Sequence, residues 1–159
     1  MTKTRKQEQA DSCCPCGCGT TSKKKVVVEY LYLDIETCGR CIGTDNILDE
    51  VMIPLTPTLN IAGFEVEYNK IEMNTAEVAK QYKFLSSPTI RVNGQDICQS
   101  VEENSCGCCS DISGTDVNCR VFEYNGQTYE VPPKEMIAKA ILNEVLGYTE
   151  AGYSCEKYE

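Results

Sequence analysis

Apolar positions follow no period over residues 1–23, and from Lys24 onward they alternate between strand-like and helix-like spacing. Val26-Val27-Val28-Glu29-Tyr30-Leu31-Tyr32-Leu33 is rich in β-branched and aromatic residues, the pattern of a buried central strand. Thr44-Asp45-Asn46 offers helix N-caps, and Ile47, Leu48, Val51 and Met52 recur at helical spacing behind it. Pro54 and Pro57 predict a kink or an end to that helix before Gly63. Phe64 to Ile71 alternates apolar and polar residues as a strand does. Asn74, with Glu77 three residues on, predicts a capped helix through Val78, Tyr82 and Phe84.

Ser87-Pro88-Thr89-Ile90-Arg91-Val92 predicts a third strand, turned by Asn93-Gly94 into a hairpin with Asp96-Ile97-Cys98. Residues 99–119 are polar and read as a long loop holding Cys106, Cys108, Cys109 and Cys119. A second hairpin, Cys119–Tyr124 with Gln127–Val131, turns at Asn125-Gly126. Pro132-Pro133 then opens a helix with Ile137, Ala140, Ile141 and Val145 on its apolar face, closed by Gly147.

Composition sharpens this outline. A chain of 159 residues with 42% apolar content can bury a core without disulfide staples, so 12 cysteines exceed what folding requires. The N-terminus lacks a hydrophobic signal region and no segment is apolar enough to span a bilayer, which leads us to expect a cytoplasmic protein without membrane insertion. In a reducing compartment, dense thiols point to metal binding or redox chemistry. Histidine is absent, which removes Cys/His zinc sites and Cys–His or Ser–His catalysis. Residues 1–25 carry six cations against two acids, and the remainder nine against 22, so the body is strongly acidic and unsuited to nucleic acid.

Cys38-Gly39-Arg40-Cys41 lies between the first strand and the first helix. A helix N-terminus stabilises a thiolate there, so Cys38 is the expected nucleophile, exposed at the junction, and Cys41 the resolving thiol. Arg40 adds a permanent cation, which Asp34 and Glu36 oppose. The competing readings are two buried small hydrophobes or half of a zinc site, and spacing and placement favour redox over both. Cys13, Cys14, Cys16 and Cys18, and again Cys106, Cys108 and Cys109, crowd thiols into short segments suited to soft ions such as Zn, Cu, Hg or As. The same clusters also read as loosely ordered thiols that resist oxidants. No ferredoxin-type spacing for an iron–sulfur cluster is present.

The order β-α-β-α-β-β, with Cys38-x-x-Cys41 after the first strand and Ser87-Pro88-Thr89-Ile90 opening the third, resembles the thioredoxin superfamily over about residues 24–147. The resemblance implies an α/β fold, a central mixed sheet flanked by helices, with a Cys-rich loop and hairpin inserted over about 99–131. It also implies a cis peptide bond before Pro88, facing the cysteine pair, with Ser87 and Thr89 beside it in a groove that pairs with substrate backbone. Thr37 stands where that superfamily commonly has Trp, Gly39-Arg40 is not its usual spacer, and no Gly-Gly follows Cys98, so glutathione is not the expected partner. The chain is also similar to small cysteine-rich thioredoxin-like prokaryotic proteins, some tied to heavy-metal or organometal handling.

The organisation expected is thus a flexible Cys-rich arm over 1–23, the domain over 24–148, and a tail over 149–159. The function expected is thiol–disulfide exchange with a protein or small-molecule substrate, recharged by a reductase or other electron donor, with no obligatory cofactor. The alternative is a non-enzymatic carrier of soft metal or metalloid ions on clustered thiolates.

Overall fold

The computed structural model describes residues 23–98, 102–105 and 118–147. Strand β1 (Lys24–Tyr32) lies between β2 (Phe64–Glu72), which it meets in parallel, and β3 (Thr89–Val92), which it meets antiparallel. The two-residue strand β4 (Gln95–Asp96) completes the order β2-β1-β3-β4. A parallel pair needs a crossover, and α1 (Gly39–Ile61) supplies it. The chain therefore has a mixed sheet flanked by helices, an α/β architecture.

The period of two along β1 sends Val26, Val28, Tyr30 and Tyr32 to one face. There they join Leu48, Val51, Met52 and Leu59 of α1, and Ile137 and Ile141 of α3 (Lys134–Leu146), in one buried cluster. Tyr30 and Tyr32 stack with ring centroids 5.2 Å apart. On the opposite face Arg91 donates to the carbonyls of Tyr82 and Lys83, just past α2 (Ala76–Gln81). Helix α3 runs as expected from Pro133, its N-cap, to Gly147, whose φ of 71° is the left-handed turn that glycine accommodates.

Several sequence-based expectations are corrected. Helix α1 begins at Gly39 rather than near Thr44, which is fully buried inside the helix. Pro54 and Pro57 lie within α1, which runs past them and ends at Ile61, before Gly63 as expected. Both face outward, where water can take up the carbonyls they leave unpaired, and Thr58 Oγ1 donates back to Pro54 O at 2.8 Å. Buried Val51, Met52 and Leu59 hold both sides of the proline segment to the core. The cap of α2 is Thr75, whose hydroxyl accepts from Val78 N, and not Asn74; the helix stops at Gln81, before Tyr82 and Phe84. Leu33 falls outside β1 and is 43% exposed.

The segment read as a loop over 99–119 also contributes sheet. Strand β5 (Glu102–Ser105) pairs antiparallel with β6 (Asn118–Tyr124), which turns at Asn125-Gly126 into β7 (Gln127–Tyr129). The cysteines at 13, 14, 16 and 18, those at 106, 108 and 109, and Cys155 lie outside the described residues.

Candidate functional site

The approach to the cysteine pair is shaped by Asp34. Its carboxylate accepts from Glu36 N at 2.7 Å, from Thr37 N at 3.2 Å and from the Thr37 hydroxyl, a turn that ends at Cys38. The Thr37 hydrogen bond, followed by the one from Glu36 N, holds the Asp34 carboxyl below its ordinary value. Cys38 is the N-cap of α1 in extended backbone, and its carbonyl accepts the first helical bond from Ile42 N at 2.9 Å. Cys41 follows in the first turn.

Both cysteines are free thiols and both are buried, Cys38 at 0% and Cys41 at 1% exposure. The expectation of an exposed Cys38 is therefore corrected. Burial pushes the Cys41 thiol up to about 11, against a hydrogen bond from Ser87 that lowers it, and the neighbouring Cys38 adds to the rise. Beneath the pair, Tyr30 Oη donates to Cys41 O at 2.7 Å. The strand pattern gave Tyr30 a place in the core, but gave no sign that its hydroxyl meets the cysteine turn.

Ser87 and Pro88 come to the pair from the other side. The Ser87–Pro88 peptide bond is cis, and Pro88 is fully buried. Ser87 Oγ lies 3.4 Å from Cys41 Sγ and accepts from Leu33 N at 3.1 Å. Thr89 Oγ1 donates to Ser86 O at 2.5 Å and accepts from Arg120 Nη1 at 3.3 Å, so it braces the turn from behind. Cys38, Cys41, Ser87, Pro88 and Thr89, named from sequence alone, are thus brought to one region.

Residues of β6 and of the segment after β7 pack over this region. Arg40, only 8% exposed, donates to Cys119 O at 3.2 Å and to Glu130 Oε1 at 2.7 Å, so its charge is paired inside the structure. Val131 packs on α1 so closely that a Cβ at Gly43 would stand 2.8 Å from Val131 Cγ2. On the far side of β6, buried Arg120 donates to Asp96, Thr89 Oγ1 and Cys98 O. Cys119 is 1% exposed and belongs to the same buried cluster as Cys38 and Cys41. Sequence reasoning placed Cys119 only among the loop cysteines; its burial in the cluster that holds the pair depends on strand pairing that spacing does not reveal.

Among the described residues, no three Cys, Asp or Glu side chains converge into a metal-binding group. No helix among them is long and apolar enough to cross a membrane. An apolar groove of about 430 Å³ between α1 and α3, lined by Val51, Pro54, Leu55 and Ala138 among others, contains neither cysteine of the pair.

Residues 26–141 match the model of a family described as a domain of unknown function (DUF2703). No curated protein and no solved structure matches the chain.

Proposed function

The chain belongs to the DUF2703 family, and from its site we propose that it is a thiol–disulfide oxidoreductase of thioredoxin-like fold. The observation that carries the reading is the meeting of the Cys38–Cys41 turn with the Ser87–Pro88 turn, joined by the 3.4 Å contact between Cys41 Sγ and Ser87 Oγ. Two thiols at the start of a helix, beside a turn whose Ser87 carbonyl pairs with an extended strand, suit disulfide exchange.

Cys38, at the N-cap of α1, supplies the sulfur that attacks a substrate disulfide, as its thiolate. One substrate sulfur leaves as thiolate and a mixed disulfide forms on Cys38. Cys41 then loses its proton and attacks Cys38 Sγ. The second substrate sulfur leaves as thiolate, and the pair becomes a disulfide that a donor dithiol must reduce. Burial pushes the Cys41 thiol up to about 11, so this second step speeds up as pH rises. Soft-metal capture on the clusters at 13–18 and 106–109 concerns residues outside those described.

Insulin reduction with dithiothreitol as donor tests the proposal. The protein should accelerate it, and Cys38→Ser should return the rate to that of dithiothreitol alone. An unchanged rate in Cys38→Ser overturns the assignment.

A further inference from the structure

One peptide group of β6 is gripped at both ends. The N–H of the Cys119–Arg120 peptide donates to Ser87 O at 2.8 Å, and its C=O accepts from Arg40 Nη1 at 3.2 Å. In an extended strand these two groups point to opposite sides. Strand β6 therefore runs between the Ser87 turn and the start of α1, where an extended substrate would pair with the site by strand addition. The side chain carried by that peptide is a cysteine, 1% exposed, in the same buried cluster as Cys38 and Cys41.

We propose that β6 is a resident substrate strand and that Cys119 is the third thiol of the redox site, exchanging with the Cys38–Cys41 disulfide. The assignment rests on the oxidoreductase reading, because reduction of an external disulfide is what leaves the pair oxidised. Cys119 then gives up its proton and its thiolate attacks Cys38 Sγ. The Cys38–Cys41 bond breaks, the Cys38–Cys119 bond forms, and Cys41 leaves as a thiolate that takes up a proton. One disulfide and one thiol stand on each side of the step, so it needs no further oxidant. A disulfide requires sulfurs about 2.05 Å apart. With the β6 backbone tied to both the Ser87 turn and Arg40, that approach falls to the side chains.

The test uses the full chain, reduced and then given a stoichiometric amount of 2-hydroxyethyl disulfide, quenched in acid, alkylated and mapped by mass spectrometry. In Cys41→Ser, Cys38–Cys119 should exceed the Cys38–mercaptoethanol adduct by about tenfold or more, because a tethered thiol acts at roughly millimolar effective concentration. In the wild type, Cys38–Cys119 should accompany Cys38–Cys41, and it should vanish in Cys119→Ser. The wild-type arm decides the matter should circular dichroism show either variant unfolded. A Cys41→Ser protein that keeps mercaptoethanol on Cys38 with Cys119 reduced, while the wild type forms only Cys38–Cys41, overturns the role of Cys119 and leaves the pair intact. A wild type with no disulfide at Cys38 overturns both.

Discussion

Arg40 donates to the carboxylate of Glu130 across 2.7 Å, and that ion pair joins the turn between the two cysteines to the segment just beyond β7. The Glu130 side chain is 63% exposed, so the pair adds little to stability, about 0–1 kcal/mol. Its consequence is access, because Arg40 also holds Cys119 O of β6, and Cys119 is buried in the same cluster as Cys38.

Glu130→Gln should therefore lower the melting temperature by no more than about 2–4 °C and raise the rate of Cys38 alkylation by iodoacetamide. A loss of about 1 kcal/mol from the closed state corresponds to roughly a fivefold faster reaction. Peptide mapping of alkylated Cys38 against time measures it. An equal rate in both proteins means that the ion pair does not govern access.

Tyr30→Phe removes the donor to Cys41 O while keeping the ring and its stacking on Tyr32. Losing a buried hydrogen bond of this kind costs about 1–2 kcal/mol, read as a lower urea midpoint at unchanged slope. No shift in the midpoint would show that water or the helix satisfies that carbonyl equally well.

The main sheet was legible because its strands obey local rules. The Val26–Leu33 run, the alternation from Phe64, and Asn93-Gly94 each carry their own signal. Helix α1 was misread at its start, and its passage through two prolines has a tertiary reason. Cys38 caps without a side-chain bond, which sequence cannot signal, and the buried residues flanking Pro54 and Pro57 override the proline penalty. Cys38, Cys41 and Pro88 were found by spacing and resemblance. The burial of Cys38 was not, because the contacts that tie the start of α1 to distant segments, Arg40 with Glu130 and Gly43 with Val131, span roughly 90 positions of sequence.

Cys41 should impose a pH dependence on stability at the alkaline end. Its thiol moves from an ordinary value of 9.0 to about 11 on folding, chiefly through burial. A raised acid of this kind contributes stability in full below about pH 9 and loses it as pH rises towards 11. Tyr30 and Tyr68 are raised by burial as well and add a decline of the same sign. The difference between wild type and Cys41→Ser isolates the cysteine: it should be flat from about pH 7 to 9 and narrow from wild type's side above that. The same titration governs chemistry. Release of a trapped Cys38 mixed disulfide should quicken by about tenfold per pH unit until Cys41 ionises near 11, and a rate that levels off near about pH 9 would show that another, unburied thiol resolves it.

Gly43 and Val131 report whether the cover is seated on α1 as described. Alanine in place of a helical glycine gains about 1 kcal/mol in propensity. At position 43 the new Cβ would lie 2.8 Å from Val131 Cγ2, an overlap that forces Val131 away, and overpacking of this sort costs about 1–3 kcal/mol. Gly43→Ala alone should therefore be neutral or destabilising by about 1 kcal/mol, with faster alkylation of Cys38. In a Val131→Ala background the space is open, so the same change should stabilise by about 0.5–1 kcal/mol. The difference between the two backgrounds is a coupling of about 1 kcal/mol or more, measurable by urea unfolding of the four proteins in the cycle. Equal effects in both backgrounds would mean that Val131 does not rest on α1, and the burial of Cys38 would then need another cause.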